Sequence, residues 1–564
     1  MSELPPFVLF FVAALLVLVT QGTVRSAILI ATPFVGGLHL WLNIDPGVTV
    51  SHTILGLELV LMRVDKLSLL FGYLFCLASL IASIFAWHVK DTTQQIAGLM
   101  YAGAALGAVF VGDLVSLFIF WELLALSSVF LIWARGTERA FNAGIRYLIF
   151  QVLSGVFLLA GALIHYQQTG SLEFTHIGLD GLASWLIFIA FGIKCAFPFL
   201  HGWLTDAYPE ATVTGTVFLS AFTTKVAVYS LARSFAGEEI LVYIGVTMAC
   251  FPIFYAVIEN DLRRVLAYSL INQVGFMVTG IGIGTALALN GAVAHAFSDV
   301  IFKGLLFMSM GAVLYRVGNI NGSDLGGLYK SMPKTTVLCI VGALSISAFP
   351  LFSGFISKSM VMTAMIEENF SYLWLLMLFA SAGVFHHAGI KIPYFAFFAH
   401  DSGIRTQEAP TNMLIAMTIA AALCIFIGMQ PQYLYALLPW EVNYWPYDTT
   451  HVLAQLQLLF FSALAFVWLN QKGMYPPELR STNLDVEWFY RKLAPMGIQR
   501  SVSFLQHTKE CALSMAVAPI HNIRQSFSQS SIAKYHLSES WPTGSMVFWI
   551  VIILASYLLL DIFG

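Results

Sequence analysis

An all-α polytopic membrane protein is the fold class this chain predicts, on three observations. Of its 564 residues 59% are hydrophobic and only 10% charged, against about 25% charged in soluble domains. Apolar runs of about 20 residues, the length that crosses a bilayer, recur from one end to the other. Basic residues gather on alternate loops, as cytoplasmic retention of positive charge requires. The net charge of −3 says nothing about nucleic acid, but no basic block exists, so no nucleic-acid partner is expected. The six cysteines are scattered without a CxxC pair. They are expected to be apolar packing residues, with no metal and no cofactor held.

About sixteen spans are expected. The first eight lie near Phe7–Thr20, Ser26–Leu42, Leu67–Trp87, Ile96–Val111, Leu114–Trp133, Tyr147–Ile164, Leu182–Leu200 and Val213–Leu231. The second eight lie near Ile240–Ile258, Val265–Ile283, Leu287–Tyr315, Thr336–Met365, Leu373–Phe398, Met413–Met429, Leu453–Leu469 and Met546–Phe563. The first run lacks a basic leader, so it is expected to be a retained span. Loops after odd-numbered spans hold Lys90, Arg135, Arg139, Arg263, Arg264, Arg316, Lys330, Lys334 and Arg405; those after even-numbered spans hold Glu173, Asp180, Glu238, Glu239, Glu367 and Glu368. The N-terminus is therefore expected outside and the odd spans to end in the cytoplasm. Residues 471–544 are polar, with Pro476-Pro477 and Ser-rich patches, and read either as a cytoplasmic or lateral helical element or as a flexible tether to a last span.

An internal repeat is legible. "FPFLHGWL" from Phe197 resembles "FPLFSGFI" from Phe349, at an offset of 152 residues (198 to 350). Five spans separate the copies, so they cross the bilayer in opposite senses, the pattern of inverted repeats that build mid-membrane ion sites from broken helices. Pro198 cannot donate to the carbonyl four residues back, that of Lys194, so a helix broken there is expected to leave a free carbonyl and space for water beside the ammonium. The expected organisation is N-terminal helices over 1–95, repeats over 96–236 and 237–400, core helices over 401–470, the polar segment 471–544, and a final span over 545–564.

Ionisable groups inside apolar runs cost several kcal/mol and mark function by default. Glu122 is the first, in "FIFWELLALSS". Lys194, Lys225, His295, Asp299, Lys303 and Lys358 follow at comparable depth. His295, Asp299 and Lys303 fall at i, i+4 and i+8, one face of a helix. A row of lysines, each with apolar sequence on both sides and carboxylates nearby, is the composition of a proton relay. Asp206, Asp299, His201, His386, His387 and Lys391 are secondary candidates. Snorkelling or one structural hydrogen bond is an equal reading for Lys391 and the favoured one for His386 and His387. "GIGIG" at Gly280 follows no strand and "SGFISKS" lacks a glycine before Lys358, so no nucleotide site is expected.

These residues lie in motifs that resemble the antiporter-like subunits of respiratory complex I and of multi-subunit Na+/H+ (Mrp-type) antiporters. Between Gly112 and Pro410 the motifs are "FWELLALSS", "GIKCAFPFLHGWLTDAYPEA", "FTTKVAVYSLAR", "DLRRVLAYSLINQVGFM", "HAFSDVIFKGLLF" and "FPLFSGFISKSMVM". The resemblance implies a fourteen-helix core with two inverted five-helix repeats, broken helices seven and twelve, and a hydrated polar axis. About two further spans would follow. It also implies Glu122 and Lys194 as an ion pair, Lys225 as the eighth-helix lysine, His295 and Lys303 as central residues, and Lys358 as the terminal lysine, as in D-type subunits. Two departures stand out: "TDAY" replaces the family's Pro-Asp-Ala-His, and "VFLSAFTTK" lacks its histidine. The implied function is translocation of H+, alone or in exchange for Na+, by a bacterial inner-membrane protein whose partners are other membrane subunits, with or without a cytoplasmic subunit. The alternatives are a coupling subunit of an inorganic-carbon uptake complex and a pump subunit of a redox enzyme.

Overall fold

A computed structural model describes residues 4–54, 56–481, 483–510 and 548–553. They fall in two units, Met1–Glu487 and Trp488–Gly564. In the second unit the described residues 488–510 and 548–553 are helical, with a π-helical turn over Phe489–Leu493. Residues 511–544 of the polar segment, and the expected last span apart from 548–553, lie outside the described residues.

In the first unit, eleven helices among the described residues are long and apolar enough to cross a membrane. Shorter apolar helices cover Pro6–Val19, Leu182–Cys195 and Pro333–Ile346. Leu262–Ile283 and Ala286–Val317 form the interior, with 94% of each apolar window buried. At the other extreme, Thr449–Gln471 is 11% buried and shows its apolar side chains outward, as a lipid-facing or subunit-facing helix does. Small residues let Ile240–Ile258 touch Leu262–Ile283 backbone to backbone: a Cβ on Gly275 would stand 2.5 Å from the Ala249 nitrogen.

One element departs from the all-α expectation. Thr49–Ile54 and Leu57–Arg63 pair as an antiparallel hairpin, with Val50 opposite Met62 and His52 opposite Leu59. The stretch holds the β-branched residues Thr49, Val50, Thr53, Ile54 and Val60 and turns at Gly56, whose φ is +79°. At seven residues its longer strand is too short for a helical span, and strand pairing satisfies its backbone instead. It is stitched to the start of the Leu114–Trp133 helix: Val60 N donates to Asp113 Oδ2 at 2.8 Å, and Gly112 N to the Val60 carbonyl at 2.9 Å.

The chain repeats its own irregularities. After Leu182–Cys195, Ala196 and Phe199 take φ of 62° and 67°; after Pro333–Ile346, Ala348 and Leu351 take 56° and 74°. The flanking hydrogen bonds match as well. Phe197 N meets the Gly192 carbonyl at 3.0 Å and Phe349 N the Leu344 carbonyl at 3.0 Å; Leu200 N meets Phe197 at 2.9 Å and Phe352 N meets Phe349 at 3.1 Å. A second pair of matched contacts opens two long helices. Asp113 bridges to Glu173 ahead of Leu114–Trp133, and Asp261 bridges to Asn321 ahead of Leu262–Ile283.

After Thr449–Gln471 the chain turns back without helix. The strap from Lys472 to Glu487 lies against the core, burying Tyr475, Asp485 and Glu487.

Candidate functional site

The first charged group sits in the middle of Leu114–Trp133. Glu122 lies against Gly155 of the Glu138–Thr169 helix so closely that a Cβ there would stand 1.5 Å from Oε1. Only glycine allows that approach. Oε1 is buried and has no hydrogen-bond partner among the described residues. Lys194, fully buried in the last turn of Leu182–Cys195, donates to the carbonyl of Trp121 and stands 4.5 Å from its indole centroid. Glu122 and Lys194 are near enough for their charges to interact, yet no direct ion pair joins them among the described residues. The ammonium takes the backbone carbonyl next door.

The densest charge lies on Ala286–Val317, where His295, Asp299 and Lys303 are all fully buried. Lys225 Nζ lies 2.6 Å from Asp299 Oδ2, an electrostatic contact rather than an aligned hydrogen bond. The same ammonium donates to the Ser220 carbonyl at 3.2 Å, beside the interruption at Phe222 between Gly215–Ala221 and Thr223–Ser234. Lys303 Nζ donates to Ser269 Oγ at 2.8 Å. Lys358 donates to the Ile346 carbonyl at 2.9 Å and stands 4.9 Å from the Phe276 ring. Asp299 also acts electrostatically on Lys303 and Lys358. Lys225 touches the carboxylate, while Lys303 and Lys358 are bonded to Ser269 and to the Ile346 carbonyl. Asp299, a secondary candidate in the sequence, stands at the centre of the cluster.

His295 faces Lys225, Lys303 and Lys358 and is held at both ring nitrogens. Nδ1 is 2.8 Å from Ser357 Oγ and Nε2 is 3.2 Å from Gln273 Oε1. The tautomer with hydrogen on Nε2 donates to the amide oxygen and accepts the serine hydroxyl. Ser357 Oγ is also 3.5 Å from the Ser353 carbonyl. If Nδ1 gains a proton, the hydroxyl can turn to that carbonyl and accept from the ring. His295 therefore changes charge without orphaning a polar group.

The other secondary candidates disperse. Asp206 pairs with Arg146 at 2.6 and 3.1 Å. His201 Nε2 lies 3.2 Å from Asp485 Oδ1, and Tyr268 donates to Asp485 Oδ2 at 2.6 Å. Burial pushes the Asp485 carboxyl up, but His201, Tyr268 and the Val486 N–H together hold it below the usual aspartate range. Lys391 donates to the Val257 and Glu259 carbonyls at 2.7 and 2.6 Å and lies 2.9 Å from Glu478 Oε1. His386 packs its ring 5.3 Å from both Phe466 and Tyr475. His387 is fully buried; one nitrogen points toward the Gly383 carbonyl without closing a well-formed bond. Sequence reasoning missed Asp485, Glu478, Arg146, Ser269 and Gln273. Of these only Gln273, an amide inside "SLINQVGF", carried a local signal.

Beside Lys358 a cavity of about 690 Å³ opens between Ser353–Glu367, Ser371–Val384 and Thr449–Gln471; Thr363, Ser381, His451 and Gln455 are among its polar lining. No group of His, Cys, Asp or Glu among the described residues could hold a metal ion.

Residues 111–386 match the family described as NADH:quinone oxidoreductase/Mrp antiporter, TM. NADH-quinone oxidoreductase subunit N of Desulforudis audaxviator is 33% identical over 56% of this chain and 68% of its own. One Na(+)/H(+) antiporter subunit of Alkalihalophilus pseudofirmus is 30% identical over 69% of this chain and 55% of its own. A chain in the structure of the Mrp complex from Dietzia sp. DQ12-45-1b shares the fold with a TM-score of 0.78 at 22% identity, covering 98% of this chain and 66% of that one. The chain belongs to the family of antiporter-like membrane subunits shared by NADH:quinone oxidoreductases and Mrp antiporters. It is a multi-pass membrane protein, and it spans about half to two thirds of the length of the first curated relatives it matches.

Proposed function

We propose that this chain translocates protons within a multi-subunit membrane complex, along a relay of Glu122, Lys194, Lys225, His295, Lys303 and Lys358. The observation that carries the reading is Asp299, one buried carboxylate in contact with Lys225 and one turn from Lys303 on the same helix, with no second carboxylate paired to the lysine cluster among the described residues. One negative charge neutralises one ammonium, and an unpaired buried charge is expensive. A proton entering the row therefore displaces another along it, which is how a relay conducts. His295, bonded in either charge state, joins the half that holds Glu122 and Lys194 to the half that holds Lys303 and Lys358. The cavity beside Lys358 supplies water to the far end.

The matched breaks at Pro198 and Pro350, with the matched bridges at Asp113 and Asp261, support two inverted repeats within a fourteen-helix core of a chain of about sixteen spans, N-terminus outside. Exchange of H+ for Na+ is the neighbouring reading, drawn from the name of the Alkalihalophilus relative. Drive by electron transfer in a partner is favoured instead by the similarity to an NADH-quinone oxidoreductase component. The subunits that co-purify decide between them.

The test is proton transport in sealed vesicles holding the full complex. Glu122→Gln and Lys303→Ala are expected to abolish it while insertion, set by apolar length, stays normal. Lys303→Arg is expected to fail too, since arginine keeps its proton. Wild-type rates in Lys303→Ala would overturn the relay.

A further inference from the structure

Behind Lys303 lies a second line of titratable groups that the relay does not use. His387 is fully buried in the π-helical turn Phe385–Ile390, a kind of bulge that recurs at functional positions. Lys303, His386 and Lys391 are the charges that act on its ring. Neither ring nitrogen has a well-formed hydrogen bond among the described residues, although one points toward the Gly383 carbonyl. A buried imidazole so poorly satisfied costs stability and needs an explanation. Lys391 opens the short helical stretch that follows and pairs at 2.9 Å with Glu478, whose side chain is 5% exposed. Glu478 belongs to the strap, between the exposed Pro477 and Leu479. The groups therefore run from the relay's centre to within one residue of the surface.

We propose that His387, Lys391 and Glu478 form a proton branch between Lys303 and the surface covered by the strap, so that the strap supplies a working carboxylate rather than a cover. This rests on the relay reading above. The transferred species is a single proton: each step breaks one O–H or N–H bond and forms one at the next group. Water bridges Lys391 to His387 and His387 to Lys303, and no electrons move. Burial lifts the Glu478 carboxyl above its ordinary range, against the opposing pull of Lys391, which brings it closer to the pH at which a group both takes and gives a proton. The backbone bonds of Lys391 to Val257 and Glu259 hold its ammonium in place.

The experiment compares E478Q, E478D, H387L and K303A for proton transport in vesicles holding the full complex. E478Q and H387L are expected to slow transport on the order of tenfold or more, and E478D to restore most of the rate. If E478Q and H387L run at the wild-type rate while K303A is inactive, the branch is overturned and the relay stands. If E478D is as slow as E478Q, Glu478 is only a clamp on Lys391 and the branch is again overturned. If K303A transports normally, the relay itself falls, and the branch with it.

Discussion

Lys358 donates a hydrogen bond to the carbonyl of Ile346, the carbonyl four residues before Pro350 that proline leaves without its helical donor. The helix break and the buried ammonium therefore belong to one device. The first break uses its freed region differently. There the Trp203 indole donates to the Ile193 carbonyl at 2.8 Å, while Lys194 turns away to Trp121.

Pro350→Ala restores an N–H that competes with Lys358 for the Ile346 carbonyl. A hydrogen bond to a charged group is worth about 1.5–3 kcal/mol. Transport in vesicles is expected to fall by roughly tenfold to a hundredfold, with yield and insertion unchanged. An unchanged rate would separate the break from the ammonium.

Asp299→Asn removes the counter-charge of Lys225 and leaves an ammonium buried among neutral groups. The loss of stability is expected to be about 3–5 kcal/mol, read as a lowered Tm of the detergent-solubilised complex. Asp299→Asn combined with Lys225→Met should recover much of the Tm, because no unpaired charge remains. Transport should stay absent in both.

Gly155→Ala places a methyl where the Glu122 carboxylate lies. The carboxylate is the far end of a flexible side chain, so it is expected to move and the helices to stay. Transport should drop while Tm holds. Gly304→Ala is the control: nothing lies within 4 Å of its Cβ position, and alanine is favoured over glycine in a helix by about 1 kcal/mol. It should transport normally and melt slightly higher.

The strap should hold under mild acid. Because the Asp485 carboxyl is held below its usual range, its docking contributes stability that is complete above the ordinary value of about 3.9 and fades only as pH falls through the lower folded value. Proteolysis between residues 472 and 487 is expected to be equally slow at pH 7 and pH 5. Asp485→Asn should make the strap cleavable at pH 7. Release of the wild-type strap already at pH 5 would contradict this.

What was legible in the sequence follows from how local each signal is. A lysine or glutamate inside an apolar run contrasts with its own neighbours, so Glu122, Lys194, Lys225, Lys303 and Lys358 could be named without a structure. Asp299 was visible too, but which lysine it faces depends on how three helices pack. The hairpin was overlooked because its strands are shorter than any span and sit between two strong apolar runs. Asp485 and Glu478 were invisible for a different reason. They lie in a polar stretch where carboxylates are ordinary, and the partner of Asp485 is 284 residues away. Only tertiary structure shows that these acids face inward.

The left-handed backbone at the two breaks has a practical consequence. Ala196, Phe199, Ala348 and Leu351 hold positive φ without being glycine, at about 1 kcal/mol or more each. Phe199 and Leu351 are 76% and 53% exposed, so trimming them to glycine would relieve strain and forfeit little burial. An engineer wanting a sturdier complex for purification would start at these two corners, leaving the packed interior as it is.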